Sequence, residues 1–260
     1  MSKGRLRVER DGPVGRLVLD NPERRNAIGA EMWLAIPPAI AGFDADDTVR
    51  VIVIRGEGTQ AFAAGADISE FEQNRSSGDQ VKAYEDATSA AHHAIESSPK
   101  PVIALIHGFC VGGGLAVALS CDLRYADASS RYALPAARLG LGYGAHGTGR
   151  LVATVGHANA REIMFSARRY DANEALAMGL VNRVLPDADL DEYVRKVALE
   201  LAANAPLTIA ASKAVINALA EPAGDFSDAE AAVARCMKSE DYVEGRRAFM
   251  EKRPPSFKGK

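Results

Sequence analysis

Cysteine is scarce in this chain, and charge of one sign never accumulates. Cys110, Cys121 and Cys236 are its three cysteines. They have neither the number nor the spacing of a disulfide framework or a paired-thiolate metal site, so a reducing, intracellular setting is expected and no metal. The 31 basic and 34 acidic side chains leave a formal charge of −3. Without a long block of one sign there is no stripe for nucleic acid, and small-molecule partners are expected instead. No apolar run approaches the roughly 20 residues that span a bilayer. Met1–Arg10 alternates basic and apolar residues and lacks the apolar stretch and cleavage site of a signal peptide. The expectation is a soluble, cytoplasmic protein with neither membrane nor nucleic acid as partner.

At 260 residues, 47% of them apolar, the chain can bury one large core, or one core plus a small appended unit, without staples. Leu6–Glu9 and Val14–Leu19 flank the turn signal Asp11-Gly12-Pro13 and predict an opening hairpin. Asn26–Gly42 reads as helix, with Pro37-Pro38 expected to kink or break it because proline lacks the donor and crowds the preceding turn. Val49–Arg55 and Pro101–Ile106 are apolar runs of the buried-strand type. A small-residue loop, Gly56–Asp67, follows the first; His107-Gly108 and Gly112-Gly113-Gly114 follow the second. Helical periodicity comes next in both cases, between Gly78 and Glu96 and then up to Ser120. Strand, loop and helix recurring in register predict an α/β core. Beyond the glycine-rich stretch Leu139–Gly149 and a short strand at Val181–Leu185, the chain from Asp187 reads as helix only. There Pro206 suits a first turn, and a helix is expected to begin at Ser239, ahead of Glu240 and Asp241.

Two loops carry chemistry. Ala61–Asp67 consists of small residues after a buried strand, which leaves backbone N–H groups accessible. Gly112–Gly114 opens a helix, where unpaired N–H groups and the macrodipole favour an anion. Either loop alone is equally well explained by packing. Together they can direct two donors at one developing oxyanion, as acyl chemistry requires.

The sequence at both places resembles the crotonase, or enoyl-CoA hydratase/isomerase, superfamily. The resemblance runs from Asn21-Pro22-Glu23-Arg24-Arg25-Asn26-Ala27 through Ala63–Ile68, Pro101–Ala104, Gly112–Gly114, Cys121-Asp122 and Ala175–Val181 to the tail from Glu244 to Phe257. It implies a spiral of ββα units over residues 1–200 and a helical C-terminal region, 201–260, that builds homotrimers or dimers of trimers. It further implies that the amides of Ala66 and Gly113 form the oxyanion hole for an acyl-CoA thioester. Ala64 and Asp67, Ile68 and Ser69 would hold the coenzyme A portion, with Arg24 or Arg25 either meeting its phosphates or standing as solvated loop charges. Coenzyme A would enter as part of the substrate, and no separate cofactor is implied.

The chain departs from the hydratases of that superfamily at both catalytic glutamates. Those positions are Ala116, two residues after the glycine triplet, and Ala136, directly after Pro135. Alanine cannot transfer a proton, whereas paired carboxylates suit hydration. Loss of both favours a reaction that needs enolate stabilisation more than a carboxylate base, such as decarboxylation of a malonyl-type acyl-CoA. The methylmalonyl-CoA decarboxylase branch is partly similar. It has a tyrosine at the position of Tyr143 and a tail like Ser239–Arg253, but a histidine where Ala66 stands and a glutamate at 116.

Tyr143 can hydrogen-bond a departing carboxylate or cover the acyl chain. His146 can serve as acid or base, or can cap its loop. The alternatives to decarboxylation are an atypical hydratase or isomerase, a C–C bond hydrolase using His146, and a non-catalytic acyl-CoA-binding protein. His92 and His93 are adjacent on a helix and cannot face one site together, His107 is expected to pack behind its strand, and Asp122 to satisfy buried backbone groups.

Overall fold

The computed structural model describes residues 4–67, 78–220 and 226–260. The opening hairpin is present as β1 (Arg5–Asp11) and β2 (Val14–Asp20), paired antiparallel around Gly12. Helix α1 spans Ala30–Ala45 and starts later than the apolar periodicity suggests, because Arg25 and Asn26 both adopt left-handed backbone (φ 51° and 56°). It also runs unbroken through Pro37 and Pro38. Burial of Met32, Trp33, Ile36 and Ile40 on its inner face outweighs the hydrogen bonds that the prolines forfeit. Each such side chain is worth about 1.5–3 kcal/mol against roughly 3 for a proline.

From there a two-strand-and-helix unit repeats three times. Strand β3 (Val51–Gly56), strand β4 (Ala61–Ala63) and helix α2 (Gly78–Ser97) make the first; β5 (Val102–Ile106), β6 (Phe109–Val111) and α3 (Gly113–Ser120) the second; β7 (Leu123–Asp127), β8 (Arg131–Ala133) and α4 (Ala136–Leu139) the third. Short strand β4 lies inside the small-residue loop Gly56–Asp67, and β6 falls between His107-Gly108 and the glycine triplet, where the sequence predicts no strand. The first strand of each unit enters one sheet and the second another, so the chain advances as a spiral. With β9 (Tyr170–Asp171) and β10 (Arg183–Leu185) the orders are β1-β2-β3-β5-β7-β10 and β4-β6-β8-β9.

Alternation along the larger sheet explains its layers. Ile52, Ile54, Ala104 and Ile106 face the main core with α1 and α2. Val51, Val53, Ile103 and Leu105 face Leu190, Val194 and Ala198 of a later helix, Leu190–Ala203. At the ends of these strands His107 is enclosed between two carboxylates, with Nδ1 2.7 Å from Asp127 and Nε2 2.7 Å from Asp191 on that helix. Arg55 of β3 reaches the same Asp191 at 2.6 Å.

Between the spiral and this helix run α5 (Ala145–Ser166) and α6 (Ala172–Ala177), so Leu190–Ala203 is α7; then follow α8 (Pro206–Ala220), α9 (Ser227–Met237) and α10 (Glu240–Glu251). Ser239 caps α10, its hydroxyl accepting from the Tyr242 amide at 3.0 Å. Helix α8 is tied to the core by Lys213, which donates to Asp122 at 2.9 Å. Asp122 also accepts from the Val102 amide, which is the backbone-satisfying role expected of it. Among the described residues no helix is long and apolar enough to cross a membrane.

Candidate active site

The Asn21–Ala27 segment is a brace for the first loop. Asn26 is buried, and its amide nitrogen donates to the carbonyls of Ala61 (2.7 Å) and Glu57 (3.0 Å) while its oxygen accepts from the Asn21 amide (3.1 Å). The Ala64 amide donates to the Arg25 carbonyl. Ile28 then pairs with the loop as a parallel bridge: its amide donates to Gly65 at 2.8 Å and its carbonyl accepts from Asp67 at 3.0 Å. In such a bridge the residue between the two bonds, Ala66, turns its own N–H to the opposite side.

That side holds the second loop. Gly112 has φ 53° and precedes α3, whose first residue is Gly113, so the Gly113 N–H has no carbonyl one turn back to pair with. Close approach explains the remaining glycine: a Cβ on Gly114 would lie 2.3 Å from the Ala63 carbonyl oxygen. A Cβ on Gly113 would lie 3.4 Å from the Ala66 nitrogen. The two amides singled out in the sequence are therefore neighbours, each at the edge of one cavity of about 620 Å³, a size suited to a small-molecule acyl group.

Ala116 and Ala136 also line this cavity, as do Tyr143 and His146. Thus the two amides, both alanines and both candidate side chains meet at one site. Among the described residues lining it, Glu85 is the carboxylate, and it is exposed on α2. Burial pushes the Tyr143 phenol above its ordinary range. Leu134 and Leu139 form part of the wall.

The CoA-binding positions are distributed differently. Ala64 lines the cavity. Arg24 and Arg25 do not: Arg24 Nη1 lies 2.8 Å from both oxygens of Asp67, and the Arg25 guanidinium stands 4.8 Å from the centre of the Phe109 ring. Ile68 and Ser69 lie outside the described residues.

Three polar residues at the wall or just behind it are not singled out by the sequence. Glu96 of α2 is buried, and it meets Arg150 and, at 3.2 Å, the Nε2 of His146. His92, one turn earlier on α2, lies 3.0 Å from the Ser120 hydroxyl. Burial, and then the nearby charges of His146 and Arg150, hold its imidazole down to about 4. His93 points out to solvent, as adjacency on a helix requires. The legible signal was the spacing: His92 with Glu96 and His146 with Arg150 are both four residues apart, each pair on one helical face.

Comparison with known proteins follows the same outline. The family described as Enoyl-CoA hydratase/isomerase matches residues 9–260. A short-chain-enoyl-CoA hydratase of Clostridium acetobutylicum is 33% identical across 95% of this chain and 94% of its own. The crystal structure of an enoyl-CoA hydratase/carnithine racemase from Magnetospirillum magneticum superposes with a TM-score of 0.93 at 36% identity, covering 98% of this chain and 96% of that one. An enoyl-CoA hydratase/isomerase family protein from Hyphomonas neptunium gives 0.92 at 40% identity, with 97% of each chain covered.

Proposed function

The chain belongs to the enoyl-CoA hydratase/isomerase, or crotonase, family, and from that premise we propose that it converts an acyl-CoA thioester through an enolate held by the amides of Ala66 and Gly113. The favoured reaction is decarboxylation of a malonyl-type acyl group. The observation that carries this reading is the pairing of two adjoining backbone donors with methyl groups at 116 and 136. In the reaction the bond from the α-carbon to the carboxylate breaks and carbon dioxide leaves. The electron pair becomes the enolate, whose oxygen the two N–H groups stabilise, and the α-carbon then takes a proton from water or from the protonated Tyr143 phenol. No carboxylate base is needed. The curated relatives bear hydratase names, and the contact of His146 with Glu96 supports a second reading, in which His146 activates water for hydration or C–C bond hydrolysis.

Incubation with malonyl-, methylmalonyl-, enoyl- and 3-oxoacyl-CoA esters, followed by mass spectrometry, separates these reactions. Loss of carbon dioxide from the malonyl esters is expected. Water addition to the enoyl esters would move the assignment to the second reading, and binding without any product would make the chain an acyl-CoA-binding protein. Gly113→Pro deletes one donor and sets a ring against Trp33 and the Ala66 amide, and turnover is expected to fall by at least about 10²–10³-fold. The exposed apolar side chains Ile216, Leu219, Phe249 and Met250 on α8 and α10 support assembly as a trimer or a dimer of trimers.

A further inference from the structure

The wall of this cavity is mostly apolar, but it carries a permanent cation that a simple fatty acyl tail would not need. Arg150 and His146 stand one turn apart on α5 and both line the wall. Both converge on Glu96, which is 6% exposed and whose second oxygen, Oε1, has no hydrogen-bond partner among the described residues. Burying a carboxylate is costly, and pairing with a cation offsets that cost only when the geometry holds the cation in place. Glu96 thus fixes a guanidinium at the cavity wall, where Arg150 remains 31% exposed.

Charge at this wall is asymmetric. Arg150 is a permanent cation. His92 is held neutral, by burial first and with the Arg150 charge adding to it. The carboxylate of the lining itself, Glu85, stands roughly 16 Å from Glu96 along α2 at the helical rise. A guanidinium is also the side chain that can serve two carboxylates at once, through its planar set of five N–H groups. A second carboxylate brought beside Glu96 without that cation between them would be repelled.

We propose that Arg150, supported by His146 and positioned by Glu96, recognises a free carboxylate on the acyl group, so that the substrate is the CoA ester of a dicarboxylic acid. The proposal rests on the acyl-CoA reading of this cavity and adds to it the residue that selects the acid. Arg150 is a specificity-determining residue here, and Glu96 is a positioning residue.

The test is calorimetric titration with succinyl- and glutaryl-CoA against butyryl- and hexanoyl-CoA. The dicarboxylic esters are expected to bind about tenfold tighter or better. Arg150→Met is expected to erase that preference, with the uncharged esters changing by about twofold at most. Because the single variant leaves Glu96 buried without its cation, the double variant Arg150→Met with Glu96→Gln removes both charges and is measured alongside it. Equal binding of the two ester classes by the unmodified protein would overturn the proposal. So would equal weakening of both classes in the double variant. If no CoA ester binds, the acyl-CoA reading itself fails and takes the proposal with it, an outcome distinct from binding without preference.

Discussion

The His107 cluster and the Glu96 cluster each bury a carboxylate beneath a nitrogen base, yet they open onto different surroundings. Asp127 is fully enclosed, and His107 bridges it to Asp191 on α7, so three strands and a helix share one network. Glu96 is equally enclosed, but its partners Arg150 and His146 both face the cavity. In the first cluster the charges complete one another inside the fold. In the second, part of the charge is turned toward whatever occupies the site.

Substitution sharpens that contrast. The largest effect on folding is expected from His107→Ala, which leaves Asp127 buried without its base and should cost about 3 kcal/mol in denaturant unfolding. Turnover per folded molecule should not change, because His107 lies outside the cavity. Glu96→Gln should cost less, about 1 kcal/mol, since Arg150 and His146 can turn to solvent and one carboxylate oxygen already lacks a partner among the described residues. Its principal expected effect is on ligand selection: discrimination between dicarboxylic and uncharged CoA esters changes more than unfolding does. A Glu96→Gln variant that unfolds as readily as His107→Ala would show that the two clusters are alike.

The smallest effect is a slope with pH. Burial lowers the His107 pKa, but hydrogen bonds to Asp127 and Asp191 and their charges outweigh it and hold the pKa at about 9, against 6.5 for the ordinary imidazole. A folded-state value above the unfolded one means that the folded protein binds the extra proton between those two values. Stability from this group is therefore complete below pH 6.5, declines as pH rises, and is gone above about 9. Unfolding midpoints measured across that range should fall for the unmodified protein and lie flatter in His107→Gln.

Much of this was legible in the sequence because it depends on local pattern. The hairpin, the buried strands β3 and β5, helix α2 and the α3 start at the glycine triplet follow from apolar runs and turn residues. The loops around Ala66 and Gly113 were legible because small residues at a strand end or a helix start expose backbone donors. Strands β4 and β6 were not, since three residues give too little alternation to distinguish from a loop. The prolines of α1 misled because their local cost is visible and the tertiary burial that offsets it is not. Glu96 and Arg150 escaped for a related reason: each looks like a surface charge until α2 and α5 bring them together. Which side chain faces a cavity is a property of two helices, and neither one announces it alone.

Asn26 has a consequence for substitution. Its backbone is left-handed, a conformation that glycine, asparagine and aspartate adopt with least strain. Its side chain both donates and accepts, which rules out glycine, and aspartate when ionised has nothing to donate. Of these three, asparagine alone can donate to two carbonyls and accept from an amide at once, so position 26 leaves little room for replacement. A change there would reach Ala66 through the loop it braces, and the defect would register as lost turnover in a protein whose cavity-lining side chains were all intact.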